Sequence, residues 1–301
     1  MVALLYALVC LIWGSTWVAI KIGLEGVPPF LGAGLRFAVS ALVLAVPLLV
    51  RRRWSPLTRD DKICVFSLGV LIFWIDYACV YWAEMHITSG LTAVLFSTMP
   101  LTTALMSAFW MRSEVLGARK TAGILIGVAG TALLFWPNER LGAMQVAGMV
   151  VALIGSICAS VNLVLIKKYG QNGDAVRLNC LGMMIGAAAL LATSAAVESW
   201  RTVVWSRSNV AALLYLALVG SVIAFSVYYW LIRRLDATVV SLAQLVIPIV
   251  ALALGRVFLN ETVTTTAVLG IVTVLAGVGI ALLPGAKPNA SGAFASVPSR
   301  D

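Results

Sequence analysis

Apolar runs of roughly 20 residues follow one another along almost the whole chain, parted only by short polar loops. An α-helix needs about that many residues to cross the hydrocarbon of a bilayer at about 1.5 Å rise per residue. Lipid offers no hydrogen bonds to the backbone, so each run must satisfy its own N–H and C=O groups and has to be helical. The runs lie near residues 2–21, 30–50, 62–82, 89–111, 120–136, 144–166, 177–197, 209–231, 237–256 and 264–283. They predict an all-α polytopic membrane protein with ten transmembrane helices. The first run has no basic flank before it and carries Trp13 and Trp17 where a cleavage site would want small residues, so it is expected to stay as a helix.

Composition supports this class. The chain is 61% hydrophobic and 11% charged, against about 25% charged in soluble domains. Its net charge of +9 could suggest nucleic acid, but the positive residues sit in short loops between apolar runs, so no nucleic-acid partner is expected. Cys10, Cys64, Cys79, Cys158 and Cys180 all fall inside apolar runs without a C-x-x-C pair, and read as small buried hydrophobes.

The loops also set an orientation. Those after the second, fourth, sixth and eighth runs carry Arg51, Arg52, Arg53, Arg59 and Lys62; Arg112, Arg119 and Lys120; Lys167, Lys168 and Arg177; and Arg233 and Arg234. The opposite side has only Lys21, Arg140, Arg201, Arg207 and Arg256. Cytoplasmic loops are the Lys- and Arg-rich ones, so both termini are expected in the cytoplasm.

The second half of the chain restates the first. Glu114 is followed by Gly123 and Gly130, and Glu261 by Gly270 and Gly277, at the same spacings. Before each Glu comes an apolar run holding one proline, Pro100 and Pro248. Trp13-Gly-Ser-Thr-Trp17, with Lys21 after it, is loosely matched by Cys158-Ala-Ser-Val-Asn162, with Lys167 after it. Each half holds five runs, an odd number, so the second copy would enter the membrane upside down. The expected organisation is one repeat over 1–138, an inverted repeat over 139–283, and a disordered cytoplasmic tail over 284–301.

The WGSTW of the first run with Lys21, the Arg36-Phe37 pair in the second, and the duplicated Pro…Glu…Gly…Gly series together resemble the drug/metabolite transporter superfamily, specifically its ten-helix EamA-type family. The resemblance covers residues 2–283 and rests on the order, spacing and duplication of these motifs. It implies a carrier in the plasma (inner) membrane that works without ATP, as a monomer or weak homodimer, and most often exports amino acids or other small metabolites. It implies no cofactor. Multidrug efflux and metabolite uptake are the alternatives it leaves open.

Charges inside the runs are the first candidates for function, because burying an ion in lipid is costly. Arg36 and Asp76 each lie roughly six residues from the outer end of their run, so both sit about 9 Å below that surface. They are expected to pair or share a polar network, as a structural clamp, as a gate that breaks when the outer side opens, or with Asp76 as a proton site. An Arg beside the carboxylate argues for the gate over the proton site. Glu114 and Glu261 read as electrostatic caps of the glycine-rich helices, and Lys21, near Glu25, as a snorkelling side chain.

Uncharged residues at middle depth outline a candidate cavity: Trp13, Ser15, Trp17, Trp74, Tyr77, Ser97 and Thr98 in the first half, Asn162, Ser226, Tyr229 and Gln244 in the second. Taken singly, each is as well explained by helix–helix hydrogen bonding or aromatic packing. As a set they describe an aromatic, nearly uncharged pocket suited to amphipathic or aromatic metabolites, amino acids or hydrophobic drugs, and ill suited to phosphorylated compounds. Gly123, Gly127, Gly130, Gly270 and Gly277 read as a small-residue face for close helix packing. Catalysis is a distant reading: the only His, His86, lies in a short loop, Asp76 has no intramembrane acidic partner, and neither H-E-x-x-H nor G-x-S-x-G occurs, so no catalytic or metal-binding residue is expected.

Overall fold

The computed structural model describes residues 1–50, 56–106, 118–134, 142–170, 172–232, 234, 243–260 and 265–282. Glu114, Glu261 and the tail expected to be disordered lie outside the described residues. Among the described residues the chain is helical and has no strand. Six helices are long and apolar enough to cross a membrane: α1 (Val2–Gly23), α2 (Pro29–Val50), α3 (Arg59–Glu84), α7 (Ala143–Tyr169), α8 (Ala175–Val197) and α9 (Arg207–Leu231). Between and after them lie α4 (Ser89–Phe96), α5 (Met99–Met106), α6 (Ala118–Leu134), α10 (Ala243–Leu259) and α11 (Thr265–Leu282). Two of these contain the shorter apolar stretches Val246–Leu259 and Val268–Gly277. The protein is thus a polytopic membrane protein. Leu42, Val46 and Leu49 on α2 and Leu4 and Leu11 on α1 are exposed, as lipid-facing residues should be.

Polar residues between the runs start the helices. Thr58 accepts from Asp61 N and Asp61 accepts from Thr58 N, a reciprocal cap on α3. Ser206 and Asn209 make the same box on α9. Asp174 caps α8, accepting from Val176 N at 3.0 Å. The first free amides of α2, on Phe30 and Leu31, donate to the carboxylate of Glu198, just past the end of α8. Lys21 does not snorkel. Its ammonium bonds the carbonyls of Glu84 and Ile87, satisfying acceptors at the end of α3.

Two interruptions shape the interior. Residues Ser67–Asp76 within α3 and Leu218–Ile223 within α9 are wound as π-helix, which widens the turn and shifts the faces that side chains occupy. Between α4 and α5, Ser97 and Thr98 form a turn just before Pro100, whose missing N–H cannot continue the ladder.

The helices pack in recurring pairs. α6 lies along α11 and α2 along α8; α3 packs on α8 and α7, while α9 packs on α2 and α1; α4 and α5 pack on α7, while α10 packs on α1. Small residues allow the closest approaches. Gly277 of α11 faces Gly123 and Gly127 of α6 so tightly that a Cβ on it would come within 2.6 Å of the Gly123 carbonyl oxygen. A Cβ on Gly130 would meet Val274 N at 2.6 Å, and Gly270 is likewise buried on α11.

Candidate functional site

A cavity of ≈ 140 Å³ lies where α1, α3, α4 and α5 meet α7, α9 and α10. Trp13, Trp17, Tyr77, Phe96, Phe225, Tyr228 and Tyr229 make its walls aromatic, and Asp76, Thr16, Asn162 and Gln244 supply polar groups. Its volume is close to the roughly 150 Å³ of an engineered apolar cavity that holds one benzene. The walls interlock ring to ring. Trp13 sits 5.5 Å from Phe225 and 4.7 Å from Tyr228, and Trp17 sits 5.2 Å from Phe96. Phe73, behind the wall, contacts Phe225 edge-on at 5.4 Å.

Of the residues singled out in the sequence, Trp13, Trp17, Asp76, Tyr77, Asn162, Tyr229 and Gln244 line this cavity together. The others lie off it. The Ser15 hydroxyl is held by the Ile12 carbonyl and by Tyr215 at 2.6 Å. Trp74 donates to Thr193 on α8. Ser97 and Thr98 donate to the carbonyls of Val94 and Leu95, and Thr98 meets Ser156 of α7 at 3.3 Å. Ser226 is exposed and returns its hydroxyl to the Val222 carbonyl. Short hydroxyls satisfy themselves against the preceding helical turn, so a Ser or Thr in an apolar run is a weak pointer to a pocket.

Arg36 and Asp76 do not form an ion pair with each other, whereas Asp61 and Arg177 do, at 2.8 Å. Arg36, fully buried, donates from Nε to Ser221 Oγ at 2.9 Å and from Nη2 toward Tyr77 OH and the Gly220 carbonyl at 3.4 and 3.5 Å. Its guanidinium also lies 4.7 Å from the centre of the Tyr77 ring and 5.2 Å from that of Phe37. Asp76 accepts no hydrogen bond among the described residues, and its Oδ1 is sealed against Gly155 of α7, where a Cβ would come within 3.0 Å. One π stretch ends on Asp76, and the other carries Gly220 and Ser221, the partners of Arg36.

Sequence reasoning missed Thr16, Phe96, Phe225 and Tyr228 in the lining, and Ser221 as the partner of Arg36. One signal could have found two of them. Tyr77-Ala-Cys-Val-Tyr81-Trp82 is echoed by Phe225-Ser-Val-Tyr228-Tyr229-Trp230 at identical spacing, which pairs Tyr77 with Phe225 and places Tyr228 beside Tyr229. Asn162 accepts from Ser67 Oγ at 3.0 Å, and Gln244 makes no hydrogen bond among the described residues.

Comparison with known proteins agrees with this architecture. The EamA-like transporter family matches residues 1–136 and again 146–283. The inner membrane transporter YedA of Escherichia coli K12, itself uncharacterized, is 32% identical over 84% of this chain and 81% of its own length. The uncharacterized transporter YoaV of Bacillus subtilis 168 is 28% identical over 90% of this chain and 92% of its own. A solved crystal structure, 20% identical, superposes with a TM-score of 0.66 over 93% of this chain and 96% of that one, and so shares the fold.

Proposed function

This chain belongs to the EamA-like transporter family, as a multi-pass protein of the plasma (inner) membrane, and from that premise we propose a secondary carrier that exports amino acids or related amphipathic and aromatic metabolites. The carrier consists of ten transmembrane helices, arranged as two inverted five-helix repeats with both termini in the cytoplasm, and it acts as a monomer or weak homodimer. Alternating access runs through the aromatic cavity. The observation that carries this reading is that both halves build the cavity: α1, α3, α4 and α5 supply one side, α7, α9 and α10 the other.

Packing supports the repeat. Exchanging α1, α2, α3, α4–α5 and α6 for α7, α8, α9, α10 and α11 leaves the main set of helix pairs unchanged: α3 on α8 becomes α9 on α2, and α3 on α7 becomes α9 on α1. Two halves with the same contacts can trade conformations, opening one side of a central site and then the other. Cavity size supports a small cargo with about one ring or a branched side chain. Efflux of hydrophobic compounds is the second reading, favoured by the aromatic walls.

The test is uptake of a pool of radiolabelled amino acids into proteoliposomes, for the unaltered protein and for Gln244→Ala. Saturable uptake that Gln244→Ala reduces at least tenfold is expected. If folded protein carries no amino acid, the amino-acid cargo is wrong and hydrophobic compounds become the substrates to try.

A further inference from the structure

One group in the cavity stands apart from the rest of its lining. Among the described residues Asp76 is the one acidic side chain in the lining, and no described lysine or arginine joins it there. It is 5% exposed, lines the open space, and accepts no hydrogen bond among the described residues. Burying a carboxylate without a partner is costly, so a site that keeps one is built for something that brings donors. Arg36 does not fill that place, since it makes neither a hydrogen bond nor an ion pair with Asp76. Its Nε and Nη2 are engaged with Ser221, the Gly220 carbonyl and Tyr77, and the Tyr77 ring stands in the cavity wall.

The neighbours of Asp76 hold it in place without neutralising it. Gly155 lets the carboxyl press against α7, and a methyl there would crowd Oδ1. Phe96 crowds the same Gly155 as Asp76 does, and Tyr77, Trp17, Trp13, Phe225 and Tyr228 line the same cavity. Aromatic faces attract cations, with tryptophan the strongest. A carboxylate without a hydrogen bond among the described residues, in an aromatic-lined cavity of ≈ 140 Å³, is complementary to an ammonium group carried on one ring or a short apolar chain. Asn162 and Gln244, on other parts of the lining, can take a polar group at the cargo's far end.

We propose that Asp76 is the anchor for the protonated amine of the cargo, so that this cavity selects compounds bearing an ammonium group and discriminates against carboxylic acids of the same shape that lack one. The assignment rests on the carrier reading above and narrows it. Amino acids qualify through their α-ammonium, and simple aromatic amines qualify equally.

The experiment uses full-length protein in lipid nanodiscs and three probes of one shape: tritiated 2-phenylethylamine, L-phenylalanine and phenylacetate. Saturable binding of phenylethylamine is expected, with L-phenylalanine competing and phenylacetate at least about tenfold weaker. Asp76→Asn should weaken amine binding at least about tenfold, and Asp76→Glu should recover part of it. The assignment is overturned if phenylacetate competes as well as the amines, if Asp76→Asn binds phenylethylamine as the unaltered protein does, or if the unaltered protein does not bind phenylethylamine. Should Asp76→Asn not yield monodisperse protein, the three-probe comparison on the unaltered protein decides alone. Amino-acid uptake into proteoliposomes without any binding of phenylethylamine would remove the amine anchor and leave the carrier standing. Absence of both would remove the carrier as well.

Discussion

Helices α3 and α9 are built alike and charged differently. Each opens with a reciprocal capping box, Thr58 with Asp61 and Ser206 with Asn209. Each contains a π stretch, and each ends in the same aromatic series, Tyr77 to Trp82 and Phe225 to Trp230. At the cap, however, α3 carries a carboxylate paired with Arg177 of α8 at 2.8 Å, where α9 carries an amide that donates to the Val204 carbonyl at 2.7 Å. One position before the aromatic series, α3 has Asp76, and α9 has Ala224, fully buried. The shared parts are backbone devices: caps, a widened turn, and rings that pack. The differing parts are ionisable. The two helices share one scaffold, and the carboxylates lie on α3 alone.

That contrast can be broken at several points. The largest effect is expected at the ion pair. Asp61 and Arg177 are both buried, so Arg177→Ala strands a carboxylate and should destabilise the protein by about 3–5 kcal/mol, read as a shift in an unfolding titration in mixed micelles. Asp61→Asn combined with Arg177→Gln makes the α3 end resemble the α9 end and should recover most of that loss; failure to recover would mean that the charge itself is needed there. Next in size is Ser221→Ala, which removes the acceptor from Arg36 Nε and should cost about 1–3 kcal/mol in the same titration. An unchanged midpoint would show that the aromatic faces and the Gly220 carbonyl hold Arg36 without Ser221. The smallest effect is expected for Asn209→Ala, about 1 kcal/mol, because it removes a neutral amide that accepts from Ser206 N and donates to the Val204 carbonyl, and leaves no charge behind. A loss at Asn209 as large as that at Arg177 would erase the distinction between the two ends.

Much of the helix layout was legible because lipid leaves a segment of this length no alternative to a helix. The six long helices start and stop within a few residues of the apolar runs, as α7 at Ala143–Tyr169 does against a run near 144–166. Neighbourhood was legible in part, since Arg36 lies over the Tyr77 ring and Asp76 and Tyr77 line the same cavity. Rotation about the helix axis was not. A π stretch moves the faces that follow it and leaves no mark in composition, so Arg36 meets Ser221 and Tyr77 while Asp76 turns to the cavity and Gly155. The aromatic lining came through better than the hydroxyl residues for a related reason. A ring is too large to hide on its own helix, whereas Ser97, Thr98 and Ser226 close their hydrogen bonds one turn back.

The central claim is that one cavity serves both sides of the membrane, and thiol accessibility tests it most directly. Leu163 lines the cavity and is apolar, so Leu163→Cys can be placed in a chain whose five native cysteines are replaced by serine or alanine, with transport confirmed. A membrane-impermeant thiol reagent should label this cysteine when applied from either side of sealed vesicles, and cargo should slow labelling from both. Labelling from one side alone, under every cargo gradient applied, would contradict alternating access and leave a one-sided binding pocket in its place.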